Sequence, residues 1–106
     1  MSSYEILEKE APGVFDAFGG LIKSFQNLPG LDGKTKQLIR IAALAMRGNA
    51  EGAYFHAVMA REAGATRQEV VSTVVLTLSE AGLSNVLDVL PSVIDAFKQS
   101  VKDDRS

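Results

Sequence analysis

The stretch that decides the fold is Lys34–Val70, KTKQLIRIAALAMRGNAEGAYFHAVMAREAGATRQEV. Its apolar residues recur at helical spacing, and its breaks are of the kinds that start or end helices. From Leu38 to Met46 the segment is apolar on nearly every side except at Arg40, the pattern of a central helix. Asp32 or Thr35 is placed to cap it. Gly48 marks a break, and a second helix is expected over Asn49–Ala63, ended by Gly64 where a left-handed residue commonly closes a helix. Its alanines at 50, 53, 57, 60 and 63 let another helix come close. Thr66-Arg67-Gln68-Glu69 then reads as a capping box, in which threonine accepts from a free N–H and the glutamate three residues on does the same in return. The helices Asn49–Ala63 and Thr66–Ala81 are expected to form an antiparallel hairpin around the Gly64-Ala65 turn.

Upstream, Ser3 can cap a short helix from Tyr4 to about Glu10. Pro12 suits the first turn of the next, whose apolar stripe is Val14, Phe15, Phe18, Leu21, Ile22 and Phe25, weakened in the middle by Gly19 and Gly20. Asn27-Leu28-Pro29-Gly30 ends it. Downstream, the helix opened by Thr66 is expected to bury Val71, Val74, Val75 and Leu78 and to run to Gly82, with Glu80 in its last turn. Thr73, Thr77 and Glu80 share a face, best read as an interface or as hydroxyls bonded back to their own helix. A last helix, Leu83 to about Lys102, carries Val86, Leu87, Leu90, Val93, Ile94 and Phe97, and Pro91 is expected to break or kink it. Phe15, Phe18, Phe25 and Phe97 are expected in the core or in subunit contacts, and the tail Lys102–Ser106 is expected to fray. The sum is an all-α single domain, residues 1–106, of five to six helices.

Composition bounds the partners. The chain has 106 residues, 46% of them hydrophobic, enough for one compact core. A helical chain this short, with nearly all-apolar helices at Leu38–Met46 and Val70–Leu78, gains by associating with copies of itself. The net charge of -2 is unevenly spread: residues 1–33 sum to -3, residues 34–67 to +4 and residues 68–106 to -3. No net basic surface invites nucleic acid, but the central basic block could attract a small anion. With no cysteine there is no disulfide, no thiolate nucleophile and no thiolate metal ligand. One histidine leaves only carboxylates to complete a metal site, so neither metal nor cofactor is expected. The start, MSSYEILEKE, carries acids where a secretory signal has bases, and the longest uncharged stretch, Val70–Ser79, is far short of the ~20 residues of a membrane span. A cytoplasmic location and no membrane partner are expected.

The Lys34–Val70 segment, with Lys9-Glu10-Ala11-Pro12 and the Leu31–Thr35 turn before it, resembles the core motif of the carboxymuconolactone decarboxylase and alkyl hydroperoxidase D superfamily. The resemblance covers residues 5–82. Its most specific part is His56, followed eight residues later by Gly64-Ala65-Thr66 and the capping Glu69. It implies an alkyl hydroperoxidase D-like helical domain assembled as a trimer or hexamer. In the hydroperoxidase branch a glutamate precedes the break, a Cys-x-x-Cys pair follows it, and a histidine stands four residues after the second cysteine. These fall on Gln37, on Asn49 and Gly52, and on His56, so only the histidine is kept. Without a thiolate to attack a peroxide and a second thiol to resolve the product, thiol-dependent peroxidase chemistry is excluded. Gln37 cannot shuttle a proton as a carboxylate does. The decarboxylase branch resembles this chain in a Gly-Asn start to the helix and in a histidine that needs no cysteine pair.

His56 is the side chain whose ordinary pKa lies near neutrality. A lone histidine on an alanine-rich helix is more often a hydrogen-bonded core residue than a catalyst, and the resemblance raises its standing. The candidate site is therefore His56, with Gly52 one turn before it leaving open the volume of a family cysteine, Gln37 supplying an amide, and Asn49 beside them. Arg40 and Arg47 are candidate anchors for a carboxylate. Tyr54 and Phe55 are expected to pack over the same region. Such a site binds or converts a small organic acid, as a lyase or isomerase would. The alternative is a non-catalytic oligomeric scaffold or binding protein that kept the helices and lost the site.

Overall fold

The structure, a computed structural model, describes the backbone of residues 1–105 and the side chains of residues 1–98. Every regular element among the described residues is helical. The side chains of the tail expected to fray, Lys102–Ser106, lie outside the described residues. The chain divides into two compact units, residues 1–31 and 32–106. Among the described residues no helix is long and apolar enough to cross a membrane.

The first unit holds α1, Ser3–Glu10, and α2, Pro12–Phe25. Ser2 rather than Ser3 caps α1, its hydroxyl accepting from the Glu5 amide at 3.1 Å. Both serines can cap, but Ser2 has the extended backbone a cap needs and sets Glu5 in the positive first turn. Pro12 opens α2, as its missing N–H favours. Neither helix fully buries a residue: Phe15 and Phe25 are half-buried, whereas Phe18 and Leu21 of the same stripe are exposed.

The second unit holds α3, Gly33–Ala45; α4, Ala50–Glu62; α5, Arg67–Leu76; α6, Leu78–Ala81; and α7, Leu83–Arg105. Asp32 caps α3, accepting from the Thr35 amide at 2.7 Å. Gly64 takes φ +100° and α5 starts at the Thr66 capping box, both as the sequence requires. The Gly64-Ala65 turn joins α4 to α5, yet α4 packs chiefly against α3 and α7, and α5 against α7 and α3. The reason is the alanine face of α4. Ala53, Ala57 and Ala60 are fully buried, and their small side chains let α3 bring Ile41 and Ala45, and α7 bring Val86, Val89, Val93 and Ala96, close to its axis. No aromatic is fully buried among the described residues; Tyr54 and Phe97 pack against the rim of this core.

Three sequence expectations are corrected here. The face that α5 buries is Val70 and Val74, with Val71 half-buried and Val75 and Leu78 exposed at 46% and 40%. The run VVSTVVL is apolar on too many sides for periodicity to choose a face. The helix from Thr66 does not run unbroken to Gly82 but stops at Leu76. There the Thr77 amide and hydroxyl both bond the Val74 carbonyl, at 3.1 and 2.7 Å, tightening the turn and leaving α6 as a separate single turn that carries Glu80. This raises the number of helical segments among the described residues to seven. Thr73 likewise bonds back to its own helix, at Glu69 O, 2.7 Å. Finally, Pro91 does not break the last helix, as one of the two expected outcomes had it, but lies inside α7. Pro91 and Leu87, whose carbonyl loses its usual helical partner, are both on the exposed side of the helix, where water can satisfy that carbonyl.

Candidate functional site

The site is built on facing segments of α3 and α4. Asn49 begins α4: its Oδ1 accepts from the Gly52 amide at 2.9 Å. One turn beyond Gly52 on the same face stands His56, half-buried. Opposite, Gln37 lies in the second turn of α3, and Nδ1 of His56 donates to its Oε1 at 2.7 Å, across nineteen positions of sequence. Arg40, Ala43 and Leu44 follow on one face of α3 at i, i+3 and i+4, and Arg47 stands in the turn just beyond the end of the helix. With His56 these four line a cavity of about 280 Å³. Burial first, and then the Arg40 guanidinium, hold the His56 imidazole below its ordinary pKa of 6.5, because both disfavour a second positive charge there. The uncharged form of the ring is thereby favoured.

Of the residues singled out from sequence, Gln37, Arg40, Arg47 and His56 are brought together. Asn49 and Gly52 do not line the cavity. The Asn49 side chain is committed to capping α4, and the space at Gly52 is occupied: a Cβ built there would lie 3.0 Å from Leu44 Cδ2 and 3.1 Å from Asn49 Nδ2. The expected open volume of a family cysteine is thus filled by a leucine and a capping amide. Tyr54 and Phe55 stack edge to face with centroids 5.6 Å apart and do not line the cavity; Phe55 is 53% exposed. Ala43 and Leu44 were missed as lining residues, although their spacing from Arg40 and Arg47 was a signal for them. Among the described residues no group of three or more histidine, aspartate or glutamate side chains could hold a metal ion.

These features define a small all-α domain in which a neutral imidazole, fixed by an amide and flanked by two guanidiniums, borders a shallow cavity without a thiol. The chain belongs to the carboxymuconolactone decarboxylase family, whose model matches residues 10–94. No curated protein and no solved structure matches it significantly.

Proposed function

We propose that the protein binds a small organic anion, a carboxylate foremost, in the cavity between Arg40, Arg47 and His56, and that any chemistry there is proton transfer beside that carboxylate, of the lyase or isomerase kind. The observation that carries the reading is the convergence of two guanidiniums and a neutral imidazole on one cavity. The guanidiniums supply favourable potential and fixed donors, and the imidazole can take a proton near neutral pH. Binding a carboxylate stabilises the imidazolium, so the His56 pKa rises on binding and protons are taken up. An NMR titration of the single imidazole, with and without a panel of aromatic and aliphatic carboxylates, tests this. The expected result is an upward shift for at least one ligand, lost binding in His56→Ala, and binding about tenfold weaker in Arg47→Ala. If no ligand moves the titration and His56→Ala binds the panel as the parent does, the reading fails.

A second reading, a non-catalytic oligomeric scaffold, is supported by the filled space at Gly52 and the commitment of Asn49 to a helix cap. It predicts a flat response to every carboxylate in the same titration.

A further inference from the structure

We infer that Gln37 is a positioning residue for His56: its carbonyl oxygen selects the Nδ1–H tautomer and leaves the Nε2 lone pair as the nitrogen offered to a ligand. The consequence for an anion rests on the site reading above; the tautomer does not. A neutral imidazole has one N–H and one lone pair, and the partner of one nitrogen decides which is which. Oε1 of Gln37 stands 2.7 Å from Nδ1 and has no proton to give, so a bond of that length requires the proton on Nδ1. Both side chains are half-buried, on helices that pack closely, so the fold rather than a surface rotamer holds the pair.

Among the described residues Nε2 has no hydrogen-bond partner. Because no buried nitrogen or oxygen of a described side chain lacks one, Nε2 is open to solvent. Among the described residues the charged groups bordering the same cavity are the guanidiniums of Arg40 and Arg47, which only donate; an N–H at Nε2 would add a third donor, whereas a lone pair complements them. With Nδ1 already protonated, the proton taken up with an anion goes to Nε2, turning it from acceptor to donor on the ligand's side. A carboxylate at position 37 would remove this behaviour by pairing with a permanent imidazolium. The neutral amide keeps the ring available.

The test reads the imidazole ¹⁵N shifts of the full-length protein at a pH where the ring is neutral and no ligand is present. Nδ1 is expected to show the proton-bearing signature and Nε2 that of a lone pair. In Gln37→Leu the balance should move toward Nε2–H, and in Gln37→Glu the imidazole pKa should rise above the parent's, with circular dichroism confirming that each variant is folded. A parent in the Nε2–H form, or a Gln37→Leu variant with the parent's tautomer, overturns the inference. If Gln37→Leu does not fold, an unchanged pKa in Gln37→Glu overturns it and a raised one supports it. Failure of every carboxylate to bind leaves the tautomer standing and removes the anion reading; binding by a protein in the opposite tautomer does the reverse.

Discussion

At Gly48 two demands meet. The residue takes φ +66°, a conformation that costs an L side chain about 1 kcal/mol or more. A Cβ added there would also lie 2.5 Å from Asn85 Oδ1. Asn85 is not a bystander: its Nδ2 donates to Met46 O at 3.2 Å and to Ala81 O at 3.0 Å, tying the turn after α3 to the start of α7. Gly48→Ala is therefore expected to cost about 2–3 kcal/mol, backbone strain plus the displaced amide, against about 1 kcal/mol for Gly64→Ala, where φ is also positive but no atom lies within 4 Å. Urea denaturation of the two variants decides this; equal losses would show that Asn85 yields freely. The break at Gly48 was legible in the sequence. Its contact with a residue 37 positions later was not, and neither was the Gln37–His56 bond, because both exist only once the helices pack.

Among the elements, α5 shows how one residue can serve two helices. Glu69 Oε1 accepts from the Thr66 amide at 2.9 Å while the Thr66 hydroxyl accepts from the Glu69 amide at 3.0 Å, closing the capping box read from sequence. Its other oxygen, Oε2, pairs with Lys34 Nζ of α3 at 2.9 Å, which no local pattern announced. The Thr66 amide and then Lys34 hold the Glu69 carboxyl below its ordinary pKa of 4.5, and the Thr35 amide does the same for Asp32 at the start of α3. A carboxyl with a lowered folded pKa adds stability that is full above its unfolded pKa and is lost as the pH falls through the folded one. The melting temperature should thus fall between about pH 4.5 and more acid values, and the gap between the parent and Glu69→Gln should shrink over that interval. A gap that stays constant from pH 6 to pH 3 would show that the ionised carboxylate adds nothing. Thr66→Ala, which removes the other half of the box, is expected to cost about 1 kcal/mol at neutral pH.

On the scale of the whole molecule, the apolar surface left uncovered sets the expectation. Leu76 at the end of α5 is 82% exposed, and Leu83 and Leu87 of α7 are exposed as well, as are Ile39 of α3 and Met59 of α4. Water contact on so many large apolar side chains favours association, and the expected form is a symmetric homo-oligomer, which the family resemblance alone puts at a trimer or hexamer. Light scattering at micromolar concentration should give a multiple of 11.3 kDa, and Leu76→Glu should reduce it. A stable monomer in the parent would refute the expectation.

The sequence by itself determined the all-helical class, a cap at Asp32 or Thr35 and another at Thr66, the Gly64 turn, the absence of thiol chemistry, and, with the family resemblance, the choice of His56, Gln37, Arg40, Arg47, Asn49 and Gly52 as candidates. The helices, caps and turn follow from local spacing and residue type, which act over one or two helical turns, whereas Gln37 and the standing of His56 follow from the family resemblance. Only the tertiary structure decided that Val70 and Val74 are the buried face of α5, that Thr77 divides it from α6, that α7 carries Pro91 unbroken, and that Leu44 and Asn49 fill the space at Gly52. In a helix apolar on nearly all sides the pattern leaves the face open. What selects it is which neighbour comes close enough to exclude water, and that depends on residues tens of positions away.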